Sequence, residues 1–327
     1  AVMGLFEVLA HFPRLLKIRR ELHRRLQALR PDVFIGIDAP DFNLGLEIKL
    51  RRSGIRTVHY VSPTVWAWRK KRVRKIGRAA DLVLCLFPFE PAFYEGHGVA
   101  ARYVGHPMAD QIDADRDAAG AREKLGLEPA ATTVAMLPGS RDSEVQRLAR
   151  PMIEATRLLK KETSGLQFVA AMANESVDAI FRQAMQALDV DDIALVPSQP
   201  RQVMAAADVV LCASGTATLE TMLVNRPLVM VYRIAASTYL LAKYSRLVKP
   251  QLFSLPNILA GEALVPELIQ DEATPGRMAE EVQRWLDSPE RRGALQQRFD
   301  ALHAQLRCGA SERAAAAVAG LLPHAEA

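Results

Sequence analysis

Two short turns of small residues in the second half of the sequence have the composition of phosphate-binding loops. The first, LPGSR (137–141), ends the apolar run 133–137, and the second, SGT (214–216), follows the apolar run 209–212. A glycine turn leading from a strand into a helix points backbone N–H groups and the positive end of the helix at an anion. Ser140 adds a hydroxyl donor, and Arg141 adds a guanidinium that suits a phosphate. One such turn is as often an ordinary connection, but two together favour a nucleoside diphosphate site.

A carboxylate shortly after the second turn completes this candidate site. Glu220 is placed one to two turns into the helix predicted after SGT, where it could accept hydrogen bonds from ribose hydroxyls. A solvated glutamate near a capped helix start is the alternative interpretation. Neither GxxxxGKS/T nor GxGxxG occurs in the sequence, so the P-loop and dinucleotide-binding interpretations lose their main support.

Two aspartates follow an apolar run in the first half of the sequence. The segment GIDAPDFN (36–43) places Asp38 at the end of a predicted strand and Asp41 shortly after it. Open α/β sheets bind ligands at the carboxyl ends of their strands, and a carboxylate there can deprotonate a sugar hydroxyl as a general base. Asp41 is more simply explained as a helix cap. Asp38 is therefore the first candidate for the base and Asp41 the second.

A strongly basic segment follows two tryptophans. Most of residues 69–75 are Lys or Arg, and the side chains considered for an anionic surface are Trp66, Trp68, Arg69, Lys70, Lys71 and Arg72. Aromatic rings beside cationic side chains suit an anionic membrane surface, and equally a nucleic-acid backbone. A solvated basic helix is the third interpretation, and the segment alone does not separate the three.

The histidines and cysteines do not indicate a metal or redox centre. The histidines at 59, 97 and 106 lie near predicted strand ends but lack the spacing of metal ligands, so no metal and no other cofactor is predicted. The cysteines at 85, 212 and 308 lie far apart without a CxxC pair. That distribution is typical of reduced thiols in a cytoplasmic protein.

Alternating strands and helices must position these candidate residues. Strands are predicted at 33–37, 57–61, 82–86, 133–137, 168–172, 193–196, 209–212 and 228–232. Helical patterns between these runs predict βαβ units and parallel sheets, and a polar stretch at 110–126 interrupts the pattern. The predicted fold class is α/β, with two Rossmann-like doubly wound lobes facing an inter-lobe cleft. We expect the lobes at 1–125 and 126–290, with helices in 291–327 packing back on the lobes or on a partner subunit of a homodimer.

The composition is that of an ordinary globular protein with an uneven charge. The 327 residues are 50% hydrophobic and 24% charged, and the formal net charge is +5. This composition excludes a disordered or collagen-like chain, and no run is long and apolar enough for a membrane-spanning helix. Residues 1–110 carry 19 Lys and Arg against 10 Asp and Glu, whereas the remainder carries 23 against 27. The basic first lobe is therefore expected to face an anionic partner.

Together these motifs resemble one family, the lipid-A-disaccharide synthases, which are inverting glycosyltransferases of the GT-B fold. The matching segments are PDVFIGIDAPDFN (31–43), HYVSPTVWAWRKKRVRKIGRAADLVLCLFPFE (59–90), GHPMAD (105–110), LPGSR (137–141), ASGTATLE (213–220) and SLPNILAG (254–261). The resemblance covers nearly all of the chain and keeps the order of the motifs. It implies a peripheral enzyme at the inner face of the bacterial inner membrane. That enzyme joins UDP-2,3-diacylglucosamine to 2,3-diacylglucosamine 1-phosphate, forming a β(1→6) disaccharide and releasing UDP.

The resemblance also implies roles for individual residues. It assigns the base acting on the 6-hydroxyl of the acceptor to Asp38, with Asp41 as the fallback. It assigns binding of the UDP-sugar to Gly139, Ser140, Arg141, Ser214, Gly215, Thr216, Glu220, Tyr232, Arg233 and Asn257. Tyr232 and Arg233 are expected to border the uracil, and Asn257 to contact the donor sugar or the diphosphate. The implied reaction is an in-line displacement that needs no metal ion.

One part of the family pattern is missing from this sequence. Family members begin with a strand and a GEASGD-type loop, and the sequence contains neither. A protein that lacked this unit would lose a central strand of its first sheet, and we would expect little or no activity from it. A truncated sequence is the simpler explanation.

Two other functions stay open on the sequence. A UDP-sugar epimerase has the same two-lobe architecture and would convert UDP-GlcNAc without a lipid acceptor. A non-enzymatic nucleic-acid-binding protein would use the basic first half of the chain. That second alternative leaves the two glycine turns of the second half without a role, so no nucleic-acid partner is predicted.

Overall fold

A computed structural model gives the structure of the protein and describes residues 5–64, 72–113, 117–234 and 252–322. The chain divides into two compact units, the first comprising residues 1–110 and 305–327 and the second residues 111–304. Each unit contains one parallel sheet, as the alternation of strands and helices in the sequence predicts. No helix within the described ranges is long and apolar enough to cross a membrane.

The first unit is built on a four-stranded parallel sheet in the order β1-β2-β3-β4. Its elements up to residue 111 are α1 (Leu5–Leu29), β1 (Val33–Ile37), α2 (Pro40–Arg52), β2 (Arg56–Tyr60), α3 (Val73–Ala79), β3 (Leu82–Cys85), α4 (Glu90–Glu95), β4 (Ala101–Tyr103) and α5 (Pro107–Gln111). Helix α2 buries Leu46 and Leu50, which form a cluster with Ile55 and with Leu22 and Leu26 of α1. This packing fixes α2 directly after the strand end that carries Asp38.

The second unit is built on a six-stranded parallel sheet in the order β10-β9-β8-β5-β6-β7. Its strands are β5 (Thr133–Leu137), β6 (Gln167–Met172), β7 (Ile193–Pro197), β8 (Val209–Ala213), β9 (Leu228–Tyr232) and β10 (Glu267–Ile269). Its helices are α6 (Ala118–Lys124), α7 (Asp142–Glu162), α8 (Glu175–Ala187), α9 (Pro200–Ala206), α10 (Thr216–Leu223), α11 (Leu255–Ala260), α12 (Pro275–Leu286) and most of α13 (Pro289–Leu306), with a 3₁₀ turn at Gln270–Glu272.

The two central strands of this second sheet bring the two glycine turns together. Every residue of β5 and β8 is buried, as expected for strands covered by helices on both faces. The strands are parallel neighbours, and Leu137 pairs with Cys212 at their carboxyl ends. The turns that follow β5 and β8 therefore lie side by side at one edge of the sheet.

The motif GHPMAD (105–110) forms hydrogen bonds with the C-terminal part of the chain. The carboxylate of Asp110 accepts hydrogen bonds from the backbone N–H groups of Gly309 at 2.9 Å and Ala310 at 2.6 Å. These contacts position helix α14 (Ala310–Ala319), whose Ala317 packs against Leu84 of the first sheet. The motif is therefore part of the framework of this unit.

The first unit ends at Asp110 rather than at residue 125 as the sequence predicts. Helix α6 packs against α9 of the second unit. The Arg122 guanidinium donates to the carbonyl of Ala206 at 2.8 Å and to the carboxylate of Asp208 at 2.7 Å. The predicted third segment, 291–327, is divided in the same way, because residues up to 304 belong to the second unit and the rest to the first.

Candidate active site

A tight glycine turn joins β5 to α7. Gly139 has a φ of +117°, and a Cβ at this position would lie 2.8 Å from Oε2 of Glu144, so both the backbone conformation and the space require glycine. Arg141 is the N-cap residue of α7 in an extended conformation. The turn thus leaves the N–H groups of a 21-residue helix at the carboxyl edge of the sheet, an arrangement that is suited to an anion.

The second turn joins β8 to α10 and is fixed by its own hydrogen bonds. Gly215 has a φ of +134° and is the N-cap residue of α10. The N–H of Ser214 donates to the carbonyl of Val231 at 3.0 Å, and the Thr218 hydroxyl donates to the carbonyl of Gly215 at 2.8 Å. A second rigid set of backbone N–H groups therefore lies beside the first.

The two turns border one cavity of about 480 Å³. Of the residues predicted to bind the UDP-sugar, the cavity is lined by Gly139, Ser140, Arg141, Ser214, Gly215, Thr216, Glu220 and Tyr232. It is also lined by Glu144, Pro200 and the end of β6 at 171–173, none of which was predicted from the sequence. The volume falls within the roughly 300–1,000 Å³ that is usual for small-molecule sites.

Glu144 is a carboxylate beside the first turn that was not predicted from the sequence. Its Oε1 accepts a hydrogen bond from Nη1 of Arg141 at 2.9 Å, one turn into α7. Burial raises the pKa of Tyr232, and the negative charge of Glu144 raises that pKa further while Arg141 opposes the effect. The i, i+3 spacing of Arg141 and Glu144 is visible in the sequence and is the signal that could have identified the pair.

Glu220 also lines the cavity and belongs to α10. Its Oε1 lies 3.5 Å from Nε of Arg201, which belongs to the first turn of α9. Burial raises the pKa of the Glu220 carboxyl, and the positive charge of Arg201 partly offsets that rise. No sequence signal links Arg201 to this site, because the contact joins two helices that are distant along the chain.

Two of the predicted donor-binding residues do not line this cavity. Arg233 directly follows Tyr232 in the sequence but lines a separate cavity of about 380 Å³. Asn257 is fully buried, and its amide nitrogen donates to the carbonyl of Val265 at 2.9 Å and to Oε1 of Glu267 at 2.8 Å. Its oxygen accepts hydrogen bonds from the N–H groups of Leu264 and Val265. The geometry gives Asn257 a structural role and lends no support to a contact with the donor.

In the first unit, Asp38 directly follows β1 and has a well-fixed backbone. Its φ is +49°, its N–H donates to the carbonyl of Tyr60 at 2.9 Å, and its own carbonyl accepts from the amide of Asn43 at 2.8 Å. A non-glycine residue in the left-handed region is uncommon and often marks a functional site. The residue itself is exposed, so its carboxylate is accessible to a substrate.

Asp41 lies in the first turn of α2 and is engaged with a cation. Its carboxylate forms an ion pair with the guanidinium of Arg72, the residue that precedes α3. Of the six side chains predicted for an anionic surface, Arg72 alone belongs to the described residues. Trp66, Trp68, Arg69, Lys70 and Lys71 lie outside them, and so does the prediction made for them.

A buried acid–histidine pair lies beside the strand that ends in Asp38. Nδ1 of His59 on β2 lies 2.7 Å from Oε1 of Glu47 on α2, and both side chains are fully buried. Oε2 of Glu47 and Nε2 of His59 have no hydrogen-bond partner within the part of the chain that the structure describes. The sequence analysis considered His59 only as a metal ligand and did not foresee this pair.

Several solved structures have folds similar to that of this chain. The UDP-GlcNAc 2-epimerase from Neisseria meningitidis, bound to UDP-GlcNAc, has a TM-score of 0.64 at 11% identity over 98% of this chain and 83% of its own. A UDP-forming α,α-trehalose-phosphate synthase from Burkholderia xenovorans has a TM-score of 0.56 at 13% identity over 98% and 79% of the two chains. These similarities confirm the predicted GT-B fold and, at such low identity, show the fold alone.

The sequence itself matches an enzyme family over almost its whole length. The lipid-A-disaccharide synthase of Xanthomonas campestris is 53% identical over all of this chain and 75% of its own length. That of Xylella fastidiosa is 51% identical over 98% of this chain and 84% of its own. The sequence model described as lipid-A-disaccharide synthetase matches residues 1–318. The chain therefore belongs to the lipid-A-disaccharide synthetase family.

Proposed function

We propose that the protein transfers a diacylglucosamine unit from UDP-2,3-diacylglucosamine to 2,3-diacylglucosamine 1-phosphate, with release of UDP. The observation that carries this proposal is the pair of glycine turns bordering one cavity in a chain that belongs to this family of hexosyltransferases. The family match does not favour the epimerase alternative, although the epimerases share the fold. It also leaves the nucleic-acid-binding alternative without support.

The donor nucleotide occupies the cavity of the second unit in this proposal. The N–H groups of the turn at Gly139 and the guanidinium of Arg141 bind the diphosphate, since both supply hydrogen bonds to an anion at a helix N-terminus. Glu220 accepts hydrogen bonds from the ribose hydroxyls, and Tyr232 borders the base.

The reaction is then a single in-line displacement. The 6-hydroxyl oxygen of the acceptor attacks the anomeric carbon of the donor sugar, and Asp38 takes the hydroxyl proton. The bond from that carbon to the diphosphate oxygen breaks, and the negative charge moves onto UDP. Fixed donors at such a developing charge typically contribute about 2.7–4 kcal/mol each. Because Arg141 and the helix N-terminus supply this stabilisation, we propose that the reaction proceeds without a divalent ion.

The geometry favours Asp38 over Asp41 as the base. The backbone of Asp38 is held by Tyr60 and Asn43 while its carboxylate is exposed. The carboxylate of Asp41 is instead engaged in an ion pair with the guanidinium of Arg72.

The experiment that tests the proposal is mass spectrometry of the products formed from the two acylated substrates. Asp38→Asn should lower kcat about 10²-fold or more, because that is the usual contribution of a general base, and should leave the affinity for UDP unchanged. The matched control is Asp32→Asn, an exposed aspartate before β1. Unchanged turnover in Asp38→Asn would remove this residue from the base role, and turnover abolished by chelation of divalent ions would refute the metal-independent reaction.

We also propose that the protein works at an anionic membrane surface. Each substrate carries two acyl chains, and the basic segment 69–75 lies in the half of the sequence with the excess of positive charge. Cationic side chains near an anionic bilayer each contribute about 1 kcal/mol to binding.

A further inference from the structure

A second cavity beside the nucleotide cavity contains two arginines that the proposed donor site does not use. It measures about 380 Å³ and is lined by Arg147, Arg233, Ile234, Gln270 and Asp271. Arg147 follows Glu144 by one turn along α7, and Arg233 directly follows Tyr232 at the end of β9. The two cavities are thus lined by residues that are close along the chain, while the two share no lining residue.

The charge of this second cavity is only partly compensated. Two guanidiniums face one carboxylate, and within the described residues neither Arg147 nor Arg233 has a carboxylate at ion-pair distance. The guanidinium of Arg147 donates to the backbone carbonyl of Ser143. By contrast, the arginines at 141, 150 and 201 each pair with a glutamate. Two half-buried arginines without an acidic partner are suited to an anionic ligand.

The backbone next to Arg233 is held by the side chain of Gln270, which directly follows β10. Oε1 of Gln270 accepts from the N–H of Ile234 at 2.6 Å, and Nε2 of Gln270 donates to the carbonyl of Ile234 at 3.3 Å. Gln270 has a φ of +53°, a conformation that costs free energy outside glycine. The side chain of this strained residue thus fixes the backbone of Ile234, the residue after Arg233. A fixed backbone of this kind is expected of a preorganised binding site.

From these observations we infer that the cavity between Arg147 and Arg233 binds the phosphate monoester of the acceptor. The inference rests on the proposed function, in which the acceptor is a sugar 1-phosphate. A phosphate monoester carries a charge of about −1.5 to −2 at neutral pH, which matches two guanidiniums that offer bidentate hydrogen bonds. The diphosphate of the donor already has the turn at Gly139 and Arg141, so the second pair of arginines serves the other phosphorylated substrate.

The test compares Arg147→Gln and Arg233→Gln with the wild-type protein on two acceptors. One is 2,3-diacylglucosamine 1-phosphate, and the other is the same sugar without its phosphate. Each substitution should raise KM for the phosphorylated acceptor about tenfold or more, as expected for loss of a hydrogen bond to a charged group. KM for the dephosphorylated acceptor and Kd for UDP should stay unchanged. Arg150→Gln, an exposed arginine of the same helix, is the matched control and should behave as wild type.

Two results would overturn the inference. An equal rise in KM for both acceptors would show that the arginines do not recognise the phosphate. A parallel loss of UDP affinity would assign them to the diphosphate of the donor. Calorimetric titration of the phosphorylated acceptor in detergent micelles, without donor, tests the site independently of turnover. If the wild-type protein binds both acceptors equally, the inference fails; if it binds the phosphorylated acceptor selectively but forms no disaccharide, the proposed function fails instead.

Discussion

Glu220 is a half-buried carboxylate whose pKa is set by two opposing effects. Burial raises its pKa, because the ionised form loses contact with water, and Arg201 at 3.5 Å partly restores the balance. In the proposed site the ionised form would accept hydrogen bonds from the ribose hydroxyls, whereas the protonated form has less capacity to accept. The pairing with Arg201 is therefore expected to favour nucleotide binding without a contact to the nucleotide.

Replacement of Glu220 should reveal which part of the nucleotide it contacts. Glu220→Gln should weaken UDP binding about tenfold, the usual effect of losing a charge-assisted hydrogen bond, and should barely affect 2′,3′-dideoxy-UDP. Because the pKa of Glu220 is raised, lowering the pH should protonate this carboxyl and begin to weaken UDP binding at a higher pH than for an ordinary glutamate. Arg201→Gln should move this loss of UDP affinity to a still higher pH. Calorimetric titration measures both effects, with Glu154→Gln as the surface control. Equal losses for the two nucleotides would disprove the ribose contact.

Gly36 determines whether the buried pair of Glu47 and His59 can exist. A Cβ at Gly36 would lie 2.0 Å from Oε1 of Glu47, and that oxygen is fully buried against His59. Gly36→Ala should displace the Glu47 side chain from His59 and cost about 1–3 kcal/mol of unfolding free energy, as leaving a buried polar group without its hydrogen bond does. Gly293→Ala is the control, since no atom lies within 4 Å of its added Cβ and a helical alanine stabilises by about 0.4–1 kcal/mol. Urea unfolding measures the two variants, and equal stabilities would contradict the steric argument.

Most strands of both sheets were predictable from the sequence because each contains a run of mainly apolar residues. The predicted bounds of β1, β5 and β9 agree with the structure, and most others differ by a residue or two at an end. Two strands escaped prediction, β4 (Ala101–Tyr103) and β10 (Glu267–Ile269). Each strand is only three residues long, one of the three is charged, and each strand lies at the edge of its sheet. Neither strand therefore contains an apolar run. Their pairing is determined by the neighbouring strand rather than by their own residues.

The same distinction applies to the candidate site. The turns at Gly139 and Gly215 were predictable, because strand ends and small residues are visible along the chain and β5 and β8 are central. The pairing of Glu220 with Arg201 was not, nor was the support that Gln270 gives to the residue after Arg233. Such contacts join elements that are far apart in sequence, and a single sequence has no periodicity that reports them.

Helix α5 directly follows a buried histidine, His106, which forms a hydrogen bond with its first turn. Burial lowers the pKa of His106 to about 4, and its Nδ1 accepts a hydrogen bond from the N–H of Met108 at 3.2 Å. The unfolded chain binds a proton near pH 6.5 while the folded chain does not. Folding stability from this residue is therefore complete above pH 6.5 and decreases as the pH falls from 6.5 towards 4.

His106→Asn should remove this pH dependence while keeping an oxygen that can accept from Met108. Between pH 7.5 and pH 4.5 the wild-type protein should lose about 2–3 kcal/mol more unfolding free energy than the variant. His97→Asn, at an exposed histidine, is the control and should follow the wild type. Urea unfolding at the two pH values gives the comparison. Parallel pH profiles of His106→Asn and wild type would show that His106 is not the titrating group.

The molecule as a whole separates its charge between its two halves. Residues 1–110 hold an excess of Lys and Arg, and the rest of the chain holds an excess of Asp and Glu. The described part of the basic half has its own acidic contacts, for example Arg72 with Asp41 and Arg51 with Asp81. If the proposed membrane association depends on a local surface, the segment 69–75 should account for it; if it depends on net charge, any three cations should matter equally.

Liposome binding distinguishes these two cases. Substitution of Arg69, Lys70 and Lys71 by Gln should lower partitioning onto anionic vesicles about a hundredfold, at about 1 kcal/mol for each cation, and should reduce its dependence on salt. The control removes the same charge from the second unit, at Arg150, Lys161 and Arg182, and should change partitioning little. Equal losses in the two triple variants would mean that net charge, and not a basic surface of the first half, attracts the protein to the membrane. Unchanged partitioning in the first variant would return this segment to the interpretation of a solvated basic helix.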